Sequence, residues 1–333
     1  MRAVQFQNPG EPSSVLRLQT VERPVPKHGE VLVRMLASPV NPSDLMFIRG
    51  HYTIPAQCPA TPGFEGVGIV EASGGGLRGL LFRGKRVVVL NKRGGNWADY
   101  AIVPAEQVIP ISKGLSDEQA ATFFVNPATA WVMTREVLKV PAGGWLVQTA
   151  AGSALGQMII RLAKHCGFRT INIVRREAQK DELLRLGADH VEVCDGSEES
   201  CERLTAQLQT LTGGVKYAVD AVGGSTGSAV VRSLGLNGRM LAYGTLSGQP
   251  LQFSPRTLMT VGSSVEGFWL GNFMSGVGLP FKLSLVRRLT RLIQSGILST
   301  EISGSWTLET VADAVVAAEK SVQTARGKCL LRM

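Results

Sequence analysis

The sequence predicts an α/β chain in which a doubly wound parallel sheet with helices on both faces is inserted into a split, β-rich domain. Three observations carry this. Residues 1 to about 115 read as short alternating strands punctuated by Gly and Pro, and from Ser116 the apolar period turns helical so that strand and helix alternate. From about residue 262 the chain returns to mixed structure. The predicted domains are residues 1–120 for the first part of the β-rich domain, 121–261 for the inserted sheet and 262–333 for the return.

In the first segment, Glu30 to Met35 and Arg86 to Leu90 have the β-branched content of strands. The spacing predicts helices over Asp117 to Phe124 and Thr129 to Leu138, with Ser116 and Asp117 available to cap the first. Trp145 to Thr149 reads as a buried strand, Gly156 to Cys166 as an amphipathic helix and Arg169 to Val174 as the next strand. A helix over Ala178 to Leu186 follows, then strands at Val191 to Cys194, Tyr217 to Ala221 and Met240 to Tyr243. Strands joined by helical crossovers make a parallel sheet. Gly271 to Gly278 reads equally as a mobile lid or a connecting loop, and Phe281 to Ser295 as an apolar-basic helix. There is no internal repeat.

Composition narrows the class. Hydrophobic residues make up 44% and charged residues 18%, enough apolar material for packed interiors. The apolar runs fall far short of a membrane span, so no membrane partner is expected, and a cytoplasmic location follows by default; a mitochondrial matrix protein whose leader had been removed would look the same. The five cysteines include no C-x-x-C pair, which suits reduced thiols. A net charge of +9 favours anionic ligands such as phosphorylated cofactors or acidic carriers, while a solvated basic surface explains it equally well. No localised basic-aromatic motif points to nucleic acid.

Ala150-Ala151-Gly152-Ser153-Ala154-Leu155-Gly156 directly follows the Trp145 strand and opens the next helix, the context that a dinucleotide-binding loop requires. Small residues let the backbone approach a pyrophosphate, and the helix start offers free N–H groups. At the end of the second strand, 19 residues after Gly156, a reader of the ribose 2′-hydroxyl would be Asp or Glu; here the chain has Arg175-Arg176. Guanidinium groups at that position predict a 2′-phosphate, hence NADPH over NADH; the competing reading is a pair of solvated arginines.

These motifs, with Asn41-Pro42-Ser43-Asp44, Gly50-His51-Tyr52, Pro62 to Val67, Asn126-Pro127-Ala128-Thr129-Ala130, Leu186 to Asp189, Tyr243-Gly244 and Gly267 to Leu270, occur in the order of a known family. The chain resembles the zinc-independent medium-chain dehydrogenase/reductases over nearly its whole length, and within them the mitochondrial-type 2-enoyl thioester reductases and NADPH:quinone oxidoreductases. The resemblance implies a Rossmann-type sheet inserted into a GroES-like catalytic domain. It implies that Tyr52 is the catalytic tyrosine, its phenol hydrogen-bonding the thioester carbonyl and stabilising an enolate. It implies Asn126 at the nicotinamide ribose, Gly152, Ser153, Ala154 and Leu155 on the pyrophosphate, and Arg175 and Arg176 on the 2′-phosphate. Tyr243, Gly244, Thr245 and Leu246 with Phe268, Trp269 and Leu270 would flank the nicotinamide, and Lys328 would approach the cofactor from the last strand. Family members usually have a glycine where this chain has Ala154.

Where zinc enzymes of the superfamily have their first Cys and their His, this chain has Asn41 and Phe64, so no metal site is expected. Arg287, Arg288 and Arg291 bring two of their number onto one helical face, at i, i+3 and i, i+4 spacing, and would meet coenzyme A phosphates or an acidic acyl carrier protein, or simply solvent. The expected activity is reduction of the activated C=C of a 2-enoyl thioester; the alternative on the same fold is reduction of a quinone or enone. A third reading is an NADPH-binding protein with a structural or RNA-associated role. The family implies a homodimer joined at the edge of the nucleotide-binding sheet.

Overall fold

The computed structural model describes residues 1–111, 113–324 and 327–333, with backbone alone for 321–324. The chain forms two compact units, residues 1–125 with 299–333, and residues 126–298.

In the first unit, strand Glu30–Pro39 is the hub. It pairs antiparallel with Glu65–Ser73, with Tyr100–Pro104 and with the terminal strand Lys328–Arg332, which sets Leu330 opposite Pro39. Beyond Glu65–Ser73 lie Arg86–Leu90 and Val108–Pro110; beyond Lys328–Arg332 lies Ile302–Thr307. Val31, Val33 and Met35 alternate along the hub with residues of the opposite face and pack with Val70, Val87, Val89 and Val103. A second core joins Val4, Phe6, Phe47, Ile48 and Trp97 to Val311 and Val315 of the last helix. The helix Pro42–Ile48 starts at Asn41 with Pro42 at its first position, where the missing N–H costs nothing.

The second unit contains, among the described residues, a six-stranded parallel sheet. Its spatial order is His190–Val193, Arg169–Val174, Trp145–Gln148, Val215–Asp220, Leu234–Ala242, Ser264–Gly267. The chain winds outward from Trp145–Gln148 in one direction and resumes beside it in the other, which puts the topological switch between that strand and Val215–Asp220. Strand alternation supplies both faces. Ile171 and Ile173 pack with Cys201, Leu204 and Leu208 of helix Glu198–Thr212 and with Val230 of helix Gly224–Arg232. Val174 packs with Ile160 of helix Ala154–Cys166 and with Leu183 of helix Lys180–Leu186.

The unit boundaries fall at 125/126 and 298/299, where the sequence placed them at 120/121 and 261/262. Ala120 and Ala121 pack with Ala37, Val67 and Leu330 of the first unit, which carries that unit past residue 120. Strand Ser264–Gly267 adds in parallel to Leu234–Ala242, setting Ser264 opposite Arg239, so the chain beyond 262 still belongs to the sheet. The first half of Gly271 to Gly278 is not a loop: Leu270–Ser275 is helical.

Candidate active site

Most of the residues expected to bind cofactor, Asn126 and Lys328 excepted, lie at the carboxyl ends of the parallel strands. Gly152 to Leu155 follow Trp145–Gln148, Arg175 and Arg176 follow Arg169–Val174, Tyr243 to Leu246 follow Leu234–Ala242, and Phe268 to Leu270 follow Ser264–Gly267. In a doubly wound sheet this edge, at the switch point, is where ligands bind.

The loop is built for close approach. Ala150 takes φ 51°, a left-handed conformation that a Cβ tolerates poorly, and sends the chain into the helix. Ser153 caps that helix by accepting the Gly156 N–H at 3.1 Å. The N–H groups of Ala154 and Leu155 lie in the first turn, where no intrahelical acceptor exists, so they face outward with the positive end of the helix dipole. A Cβ on Gly156 would stand 2.4 Å from the Ala151 carbonyl oxygen, so only glycine lets helix and strand meet here. Ala154, at the position where a glycine is usual, takes the first helical position without obstruction.

Beneath the loop runs a buried amide ladder. Gln148 donates to the Gly156 carbonyl at 3.0 Å and to the Asn172 side-chain oxygen at 2.6 Å, and Asn172 donates to Thr170 and to the His190 carbonyl. It ties the loop to the second strand, which ends at Arg175 and Arg176. Both arginines are exposed, and neither guanidinium has a hydrogen bond or ion pair among the described residues; the nearby Glu177 pairs instead with Lys180.

Sequence reasoning missed a second ladder across the switch point. Asp220 accepts from the Thr149 hydroxyl at 2.6 Å and from the N–H groups of Val222 and Gly223, and Thr149 in turn accepts from the Ala221 N–H. The signal was a lone Asp inside the apolar run Tyr217 to Val222, ahead of Gly223-Gly224. Burial, aided by Asp220, holds the Tyr243 phenol well above its ordinary pKa, and its hydroxyl is buried without a partner among the described residues. Beside it, Ala242, Gly267, Phe268, Trp269, Asn272 and Phe273 line an open cavity of about 450 Å³. Thr245 and Leu246 are exposed and Leu270 is half-buried. Arg288, one of the basic trio, stacks over Trp131 at 4.3 Å, while Arg287 and Arg291 remain exposed.

In the first unit, Tyr52 is half-buried and packs on Phe64 with ring centroids 5.1 Å apart. Phe64 is held from behind by Phe47 at 5.2 Å and through its N–H, which donates to Asp44 at 3.1 Å. Asp44 also accepts the Asn41 N–H at 2.8 Å. Glu65 accepts the N–H groups of Phe124 and Val125 at 2.7 and 2.8 Å, fixing the chain just before half-buried Asn126. Lys328 is buried within the field of both carboxylates. Burial pushes the Asp44 pKa up to about 7 and raises that of Glu65, and it lowers that of Lys328 against the pull of Glu65 and Asp44.

Among the described residues no three His, Cys, Asp or Glu side chains gather to hold a metal. At the two positions matched to zinc ligands, Asn41 begins a helix and the Phe64 ring fills the space between Tyr52 and Phe47. This donor set does not fit zinc. The residues at the strand ends do fit a phosphorylated dinucleotide: outward-facing amides and guanidinium groups with no partner among the described residues.

Comparison with known proteins agrees with this geometry. Residues 27–113 match the alcohol dehydrogenase GroES-like domain, and residues 154–279 match the zinc-binding dehydrogenase family. The chain is 32% identical over 327 residues to the mitochondrial enoyl-[acyl-carrier-protein] reductase of Homo sapiens, covering 96% of this chain and 86% of that protein. It superposes on the crystal structure of a putative NADPH:quinone reductase from Bacillus thuringiensis with a TM-score of 0.88 at 33% identity, covering 100% of this chain and 98% of that one. Against an Etr1p/NADP/crotonyl-CoA complex the TM-score is 0.82 at 27% identity, covering 100% and 99%. With a GroES-like unit, a Rossmann-type parallel sheet and relatives matched over most of their length, the chain belongs to the medium-chain dehydrogenase/reductase family of oxidoreductases.

Proposed function

We propose that this protein is an NADPH-dependent reductase of the activated C=C of 2-enoyl thioesters. The observation that carries the cofactor assignment is the Arg175–Arg176 pair, exposed and free of acidic partners at the tip of Arg169–Val174. Where a carboxylate would select the ribose hydroxyl, two guanidinium groups favour its phosphate. The Ala154 and Leu155 amides and the dipole of their helix would hold the pyrophosphate. Bound NADPH supplies the hydride for the reduction.

The chain's own groups do the rest. Phe268, Trp269 and Phe273 would offer apolar surface in the open cavity to an acyl chain or a planar ring. The Tyr52 phenol, its ring oriented by Phe64, would donate to the thioester carbonyl and stabilise the negative charge that develops there. The likeness to curated enoyl reductases favours this acceptor, which would be carried on coenzyme A or an acyl carrier protein.

A second reading, NADPH:quinone or enone reduction, is favoured by the high superposition on the Bacillus thuringiensis structure. A panel of crotonyl-type thioesters, simple enones and quinones, each with NADPH and NADH, separates the two. The proposal expects the highest kcat/KM with NADPH and a thioester; a preference for quinones replaces it with the second reading, and equal use of NADH removes the arginine assignment.

A further inference from the structure

We propose that the short helix Leu77–Phe82 and the loop beside it form a docking surface for an anionic phospholipid membrane. The inference stands on the first unit alone and is independent of the reaction assigned above. The sequence predicts no membrane partner because its apolar runs are too short to span, and no helix among the described residues is long and apolar enough to cross a bilayer. A peripheral surface needs no span.

The fold forces this helix to present leucine to solvent. Gly79 is its buried residue, and a Cβ there would lie 2.3 Å from the Ser73 hydroxyl oxygen, so the helix rests on the body of the unit by its backbone. Phe82 turns inward against the β-core. Leu77, Leu80 and Leu81 are left outside, exposed to 76%, 63% and 55%. Residues so exposed stand out from the surface and do not line a groove. Gly74-Gly75-Gly76 leads into the helix, and a Cβ on Gly74 would fall 2.0 Å from the Lys27 carbonyl oxygen. That contact seats the 25–28 segment alongside, where Val25 is 82% exposed.

Charge says what covers the patch. Arg78, Arg83 and Lys85 are exposed around the leucines, and no Asp or Glu occurs between Ala72 and Ala98. The adjoining turn Ala105–Gln107 contributes Glu106. Nearby Glu30, at the start of the hub strand, has its carboxylate engaged by the Lys27 N–H. Protruding apolar side chains ringed by exposed cations match the layering of a bilayer face, where acyl chains lie beneath phosphate headgroups. A protein partner would need a complementary apolar cup, and an acidic polymer would leave the leucines unused.

The test is co-sedimentation of the whole chain with phosphatidylcholine–phosphatidylglycerol vesicles and with pure phosphatidylcholine vesicles, at low and raised salt. The wild type is expected to bind the mixed vesicles, bind the neutral ones weakly, and lose affinity with salt. The variant L77S/L80S/L81S keeps every charge and should partition at least about tenfold less, with unchanged melting temperature. R78Q/R83Q/K85Q should also weaken binding to the mixed vesicles. Equal binding of wild type and the leucine variant means charge alone attracts the chain and overturns the proposal. So does a fall in oligomeric mass of the leucine variant without vesicles, which assigns the patch to a second copy. Retention by polyglutamate that depends on the leucines overturns it too, by assigning the patch to an acidic protein.

Discussion

On the proposed reading, Arg175 and Arg176 lie where a single side-chain choice would decide between two cofactors. A charge-assisted hydrogen bond is worth about 1.5–3 kcal/mol, so replacing either arginine by alanine should raise the KM for NADPH about tenfold or more while leaving that for NADH nearly unchanged. Steady-state kinetics with both cofactors measures the ratio, and an unaltered preference returns the pair to solvent. Tyr52→Phe removes one hydroxyl and keeps the ring on Phe64. Turnover should fall on the order of a hundredfold with NADPH affinity unmoved; full activity would retire the phenol from the mechanism. Asp44 allows a test by pH. Its folded pKa of about 7 lies above the value of about 3.9 of an unfolded aspartate, so between those values the folded chain binds the extra proton. Its contribution to stability is therefore full below about pH 4, declines as pH rises toward 7 and is level above. Melting curves of wild type and Asp44→Asn across that range should differ in slope, and parallel curves would show that Asp44 ionises freely. The position of the arginines at a strand end was legible because it depends on spacing from a local loop. Asp44, Glu65 and Lys328 were not read as a cluster, because each acquires its role from partners far away in sequence.

At the scale of elements, the turn from Trp145–Gln148 into Ala154–Cys166 is where local sequence and packing agree. The Gly156→Ala substitution puts a methyl against the Ala151 carbonyl and should cost about 1–3 kcal/mol of stability, with weakened NADPH binding, as read by denaturant titration and cofactor fluorescence. A neutral result would show that the helix can slide off the strand. Helix Ala154–Cys166 was readable because a broad stripe, Leu155, Met158, Ile159 and Leu162, repeats at helical spacing. Helix Glu198–Thr212 was not read, since it buries only Ser200, Cys201, Leu204 and Leu208 in a largely polar segment. Gly224–Arg232 opens on glycine and small polar residues and gave no helical signal; it is helical because Ala229, Val230 and Val231 are buried against the sheet, and packing overrides propensity. Strand Ser264–Gly267 is short and half-covered, so only its parallel pairing with Leu234–Ala242 identifies it.

For the whole molecule, Ser264–Gly267 closes one edge of the parallel sheet and leaves a row of backbone donors and acceptors open to pairing. A second copy of the chain adding there would extend the sheet, so light scattering in solution should give twice the chain mass; a monomer at micromolar concentration would contradict this. By itself the sequence determined the alternation of strand and helix, the small-residue loop that opens helix Ala154–Cys166 and the arginine pair after the second strand. All of these follow from residue type and short-range spacing, which the chain carries before it folds. Tertiary structure alone decided where the inserted sheet ends and that Asp44, Glu65 and Lys328 share one buried field. It also joined Thr149 to Asp220 and turned three leucines outward over Gly79. In each case the energy comes from burial or close approach between segments distant along the chain, and such distances exist only once the backbone has closed.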